Sequence, residues 1–100
     1  MRRYFLSNLA RKDLLEIAAF TEIRWGSAQR DRYMRDLERR LVAIAASPAS
    51  GRQRQDLGDE VRSALYGSHL IIYRPASDGV DILRVLHASM DVPAKFDEDR

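Results

Sequence analysis

The sequence predicts an α+β fold: a short N-terminal strand, a two-helix antiparallel hairpin, and an antiparallel β-sheet on which the hairpin packs, in the order β-α-α-β-β-β. Three observations carry this reading. Residues 8–46 hold two apolar stripes at helical spacing, separated by little more than Gly26. Residues 60–87 hold three β-rich runs separated by two turn signals. The chain is 100 residues long and 45% hydrophobic, which suits one domain with a real core and argues against disorder.

Each element has a local reason. Arg3 to Leu6 can form the first strand. Ser7 or Asn8 then suits a helix N-cap, because a side-chain oxygen there satisfies a free backbone donor. Ala10, Leu14, Ile17, Ala18, Thr21 and Trp25 recur at three- and four-residue steps and form the first stripe. Gly26 suits a left-handed helix end, and Ser27 can cap a second helix at once. The second stripe runs Arg30, Tyr33, Met34, Leu37, Leu41, Ile44 and Ala45, with Asp31, Arg35, Glu38 and Arg39 on the other side. Helices joined so tightly must fold back on each other.

Ser47-Pro48-Ala49-Ser50-Gly51 ends the second helix, and residues 48–60 read as a polar surface loop. The strand candidates are Glu60–Tyr66, His69–Arg74 and Val80–His87. Gly67-Ser68 is a two-residue hairpin signal with glycine first, and Ala76-Ser77-Asp78-Gly79 is a second turn. Val92 to Arg100 is polar and acidic and reads as a short helix or a frayed tail. The domain is therefore placed at residues 1–91, with a tail at 92–100. No internal repeat or low-complexity tract is visible.

Strands alternate their side chains between two faces. His69, Ile71 and Tyr73 share one face, and Leu70, Ile72 and Arg74 the other. Ile82, Arg84 and Leu86 oppose Leu83, Val85 and His87. Both faces are apolar. The helix hairpin can cover one, so the rest is expected to meet a partner.

Bulk composition narrows the function. The absence of cysteine excludes a disulfide framework and thiolate metal sites. The N-terminus lacks the long apolar stretch of a signal peptide, and no apolar run reaches the length of a membrane span. A cytoplasmic protein without membrane contact is expected. The net charge is +2, well short of a dedicated nucleic-acid binder. Residues 1–47 hold ten Lys/Arg against six Asp/Glu, and residues 48–100 hold seven against nine. The excess lies on the helices, as a face laced with ion pairs or as steering toward an acidic partner.

The candidate functional residues are basic or aromatic. Arg62, Arg74 and Arg84 recur on three successive strands. They form either a cationic patch for acidic groups or internal salt bridges, for instance to Glu60, Asp81 or Asp91. His69 and His87 are the two histidines. A nuclease would pair them or set one beside an arginine; otherwise their rings hydrogen-bond to backbone. Two histidines without cysteine make an incomplete metal site. Trp25 is read as packing, Tyr73 as core, Tyr66 as at least half exposed, and Tyr33 stays open between packing and partner binding.

Taken together, these residues resemble the RelE/ParE toxin superfamily, its ParE branch in particular. The match runs the full length. It includes Leu6-Ser7 before the first helix, Arg24-Trp25-Gly26 closing it, Ser47-Pro48 and Gly51-Arg52, and Arg62. It continues through Gly67-Ser68-His69-Leu70-Ile71-Ile72-Tyr73-Arg74, then Ile82-Leu83-Arg84-Val85-Leu86-His87 with Met90-Asp91. The resemblance implies a bacterial cytoplasmic toxin neutralised by a cognate ParD-like antitoxin. Such antitoxins join a ribbon-helix-helix DNA-binding part to a tail that wraps the toxin, so DNA is contacted only through the antitoxin. The ParE branch implies DNA gyrase as target; the RelE branch implies ribosome-dependent mRNA cleavage.

Fold cannot choose between these branches, so residues must. Metal-independent RNA cleavage needs a base, an acid and cations for the phosphorane charge. Leu70-Ile71-Ile72 stands where some ribonuclease relatives place an arginine, and Leu86-His87-Ala88-Ser89-Met90 lacks their His-Tyr or Arg-rich ending. The gyrase branch is therefore favoured, with no catalytic residue, cofactor or metal expected. Arg62, Tyr66, Arg74, Arg84, His87 and Tyr33 are the partner-binding candidates, for antitoxin or target.

Overall fold

The helix hairpin forms where its stripes place it. The structure, a computed structural model, describes residues 2–98. Strand β1 is Arg3–Leu6, helix α1 is Asn8–Trp25 and helix α2 is Ser27–Ala46. Ser7 is the N-cap of α1: its Oγ accepts from Ala10 N–H at 3.0 Å and donates to Leu83 O at 2.8 Å. One hydroxyl thus starts the helix and ties it to a strand 76 residues away. Gly26 closes α1 with φ 92° but ψ 170°, positive in φ yet outside the left-handed helical region. It also stands at the N-cap of α2; Ser27 is the first helical residue and makes no cap bond. Arg30 pairs with Glu22 across this turn and with Asp31.

Strands β2 (Arg52–Gln53), β3 (Arg62–Tyr66), β4 (His69–Ala76) and β5 (Gly79–His87) follow, and helix α3 is Val92–Glu98. The sheet order is β1-β5-β4-β3-β2. β1 pairs parallel to β5, and the other neighbours are antiparallel, so the sheet is mixed. The long connection through the hairpin is what permits the parallel pair. Strand β2 and a single 3₁₀ turn at Pro48–Ser50 fall inside the stretch expected to be plain loop. Tyr73 and Arg62 hold that turn. The buried Tyr73 hydroxyl donates to Pro48 O at 2.8 Å and accepts from Gly51 N–H at 2.9 Å.

Glycine is required at two places. Gly79 has φ 135°, and a Cβ there would overlap the Arg3 backbone, so β1 could not approach β5. Gly67 has φ 56° in the two-residue turn, and a Cβ would sit 2.9 Å from the Tyr33 hydroxyl.

A bulge re-phases β5. Ile72 pairs with Arg84, but Tyr73 pairs with Ile82, so Leu83 is the extra residue. Strict alternation would put Ile82 and Val85 on opposite faces. The bulge lets both join the core under the hairpin, with Leu37, Leu41, Ile44, Ile71 and Tyr73.

The second sheet face is covered by the chain itself. Leu57, Val61, Ile72, Leu86, Val92 and Phe96 form a separate buried cluster there. Leu57 comes from the loop after β2, and Val92 and Phe96 from α3. The expectation that this face waits for a partner is therefore corrected: Ile72 is 0% exposed and Leu86 4%. The end of the expected tail, Asp99 and Arg100, lies outside the described residues.

Candidate functional site

A trough runs along α1 where it passes β5. Its origin is the shortness of β1, which pairs with β5 only as far as Ile82. Beyond that point α1 lies beside the strand edge and supplies side chains to it. Asp13 is central. Its carboxylate accepts Arg84 Nε at 2.8 Å, Arg84 Nη2 at 2.9 Å and the Val85 backbone N–H at 2.9 Å. Both residues are buried, Asp13 at 6% and Arg84 at 5% exposure. The carboxylate replaces a missing strand: it satisfies an edge donor that no neighbouring backbone reaches. A hollow of about 320 Å³ opens beside this pair, walled by Leu9, Lys12, Glu16, Phe20, Met90 and Lys95 among others.

At one end of the trough four rings form a ladder. Tyr66 meets Tyr33 edge-on with centroids 5.0 Å apart, Tyr33 meets His69 at 5.8 Å, and His69 meets His87 at 5.4 Å. The histidines are direct cross-strand partners on β4 and β5. Tyr33 Oη lies 2.7 Å from His69 Nδ1. The Ser89 backbone N–H donates to His87 Nδ1 at 3.1 Å, with Ser89 Oγ at 2.6 Å from the same nitrogen. A backbone N–H can only donate, so Nδ1 of His87 holds a lone pair and its ring proton sits on Nε2. Burial, then the neighbouring His87, hold the His69 pKa below its ordinary 6.5. Burial likewise raises the Tyr33 hydroxyl.

The six candidates do not form one patch. Tyr33, Tyr66 and His87 meet in the ring ladder, with Tyr66 Oη donating to Tyr33 O at 3.2 Å. Arg62 Nη1 donates to Ala49 O at 3.2 Å and Gly51 O at 2.7 Å, so it staples the turn after α2. Arg74 is exposed on the opposite sheet face, near Asp59 O at 3.4 Å. Arg84 is corrected most clearly. It is buried in a salt bridge, its partner is Asp13 rather than Glu60, Asp81 or Asp91, and it offers no free cation to a partner. Trp25 is corrected too: it is 65% exposed, with Arg24 stacked 5.5 Å from its ring. The bulge and the separate anchors scatter arginines that simple register would have gathered.

Sequence reasoning missed Asp13, Lys12 and Phe20. Asp13 entered only as one of the six carboxylates counted in residues 1–47. Phe20 carried a signal: Leu15, Phe20 and Ile23 are apolar residues that the core stripe leaves unused. No group of three or more His, Cys, Asp or Glu able to hold a metal gathers among the described residues. Among them no helix is long and apolar enough to cross a membrane.

The architecture has a solved counterpart. It superposes on a chain of the chromosomal ParDE toxin–antitoxin system from Pseudomonas aeruginosa with a TM-score of 0.74, covering 89% of this chain and 98% of that one. Identity there is 17%, so that likeness concerns the fold. The sequence goes further. Residues 4–92 match the family described as ParE toxin of type II toxin–antitoxin system, parDE. The chain is 40% identical over 91 residues to Toxin ParE1 of Mycobacterium tuberculosis, covering 90% of this chain and 93% of the relative. It is 38% identical over 94 residues to Toxin ParE1 of Caulobacter vibrioides, covering 94% and 97%. It is 30% identical over 97 residues to Toxin ParE of Escherichia coli, covering 96% and 94%. The fold is thus that of a toxin from a two-component toxin–antitoxin pair. The chain belongs to the ParE toxin family, and that membership implies an antitoxin partner.

Proposed function

We propose that this ParE-family chain is a non-enzymatic toxin that inhibits DNA gyrase and is neutralised by a ParD-like antitoxin. In this reading the antitoxin alone contacts DNA, through a ribbon-helix-helix part, and the toxin works in the bacterial cytoplasm without a cofactor. The observation that carries the proposal is the near full-length match to ParE toxins, residues 4–92. The histidine geometry supports its non-enzymatic side. Nδ1 of each imidazole is engaged within the fold, His69 by Tyr33 and His87 by Ser89.

One observation favours a second reading, ribosome-dependent mRNA cleavage. The two histidines do stand together, 5.4 Å between centroids, near Tyr33. A pair of assays separates the readings. Purified chain should block gyrase supercoiling and leave message on translating ribosomes intact. Normal supercoiling at saturating chain would remove the gyrase proposal, and cut message would establish the alternative.

A further inference from the structure

A small hollow of about 190 Å³ lies where the α1–α2 turn meets the β3–β4 turn and the end of β5. Phe20, Trp25 and Tyr33 bring rings to it, and Gln29, His69 and His87 bring polar edges. Sites for drug-sized molecules run to about 300–1,000 Å³, so this one admits roughly a single planar ring system. The Arg24 guanidinium lies 5.5 Å from the Trp25 ring centre, and the indole stays 65% exposed.

Several polar groups around the hollow are unspent. The Gln29 side-chain amide makes no hydrogen bond among the described residues. Nδ1 of His69 is engaged by Tyr33 and Nδ1 of His87 by Ser89, which leaves Nε2 of each ring without a partner among the described residues. No buried side-chain nitrogen or oxygen there lacks a partner, so the Gln29 amide and His69 Nε2, on half-buried residues, reach solvent. An amide offers a donor and an acceptor side by side, and the protonated Nε2 of His87 adds a donor.

The lining selects among flat or ring-seeking ligands. A methylated ammonium favours aromatic walls, but no carboxylate lines this hollow among the described residues and Arg24 already brings a cation to Trp25. A purely apolar group would cover Gln29 and the Nε2 atoms without pairing them, which costs binding energy. A nucleobase has both features that the hollow matches. Its face stacks on aromatic rings, and its edge carries the adjacent donor and acceptor that a glutamine amide pairs with.

We propose that this hollow binds one unstacked nucleobase, with Trp25 and Phe20 against its face and Gln29 on its edge. The site stands apart from the gyrase proposal, and neither depends on the other. A free nucleotide and an unpaired strand present the same base, so the chemistry is shared between these two sources.

The test is a titration of the full chain followed by NMR. Trp25 is the single tryptophan, so its indole N–H signal reports the hollow directly. Adenosine or cytidine monophosphate should shift that signal and the His69 and His87 ring signals saturably, and ribose phosphate should not. A single-stranded oligonucleotide that binds more tightly than the mononucleotides, with the matching duplex failing to compete, assigns the base to an unpaired strand. Mononucleotides binding as tightly as the strand assign it to free nucleotide. Trp25→Leu, read on the histidine signals, should weaken binding at least about fivefold, as loss of a stacking ring does. Gln29→Leu should weaken it about two- to tenfold through the lost edge bonds. Leu65→Ala, on an exposed residue of β3, should leave it within about twofold. The proposal is overturned if neither mononucleotides nor the strand move the indole signal, or if ribose phosphate or tetramethylammonium moves it as strongly. Wild-type affinity in both Trp25→Leu and Gln29→Leu overturns it as well. Should a variant fail to fold, the wild-type titrations decide alone.

Discussion

The two helices of the hairpin obey opposite rules. Helix α2 buries Leu37, Leu41, Ile44 and Ala45 and turns arginines and carboxylates outward. Its outward charges pair locally, as Arg39 does with Asp36 at 3.0 Å. Helix α1 buries Asp13 and Thr21 and turns Leu15, Phe20, Ile23 and Trp25 outward. Single exposed apolar residues are ordinary, but four on one helix of 18 residues leave it unusually rich in apolar groups that meet water. The buried polar residues on the same helix have structural reasons: Asp13 closes the β5 edge and pairs with Arg84, and the Thr21 hydroxyl donates to Ile17 O one turn back. α2 is therefore a packing helix, and α1 packs along one stripe and leaves large apolar side chains in solvent around the rest of its surface.

This contrast can be broken most directly at Asp13. Asp13→Ala leaves the Arg84 charge buried without its partner and the Val85 N–H without an acceptor. The expected loss is about 3–5 kcal/mol, read by urea denaturation. A loss under about 1 kcal/mol would mean that Arg84 escapes to water and that the pair does not hold the edge. On α2 the corresponding test is Leu41→Ala, where the side chain is 2% exposed. About 2–5 kcal/mol should be lost, from transfer and from the cavity left behind.

A smaller effect belongs to the ring ladder. The folded His69 pKa lies below the unfolded value near 6.5. Above that value both states are neutral at His69, and its contribution is complete. As pH falls through about 6.5 the unfolded chain takes the proton first, so stability declines until the folded pKa is passed. His69→Gln should flatten the fall in urea midpoint between about pH 7.5 and 5.5 relative to wild type. An unchanged slope would assign the loss to other groups. The smallest effect is expected at Ile23, 87% exposed on α1. Ile23→Ala should shift stability by no more than about 0.5 kcal/mol, as a surface residue does. A core-like loss would show that the outward side of α1 packs on something within the chain.

Local features were legible because they depend on near neighbours. The spacing of Leu37, Leu41 and Ile44 marks a helix face without any knowledge of what it meets. Ser7 as a cap and Gly67-Ser68 as a turn follow from backbone geometry over a few residues. The ring residues of the candidate site were legible as residues, and Gly67-Ser68 brings Tyr66 and His69 face to face. Their grouping with Tyr33 was not, because α2 must first cross the sheet. Arg62 was singled out as a partner-binding candidate, and its place in the fold, holding the turn after α2, needed the tertiary neighbours Ala49 and Gly51.

The sequence by itself determined the order of the main elements, the hairpin, the places of β1, β3, β4 and β5 and the resemblance to ParE toxins, because periodicity and local sterics act over a few residues. Only the tertiary structure decided that Leu83 bulges, that α3 and Leu57 cover the second sheet face, and that Asp13 is buried while Phe20 and Trp25 are not. Each of these depends on groups far apart in the chain; Asp13 and Arg84 are separated by 71 residues. Whether a charge is buried is set by the partner that folding brings to it, and no spacing within one helix encodes that.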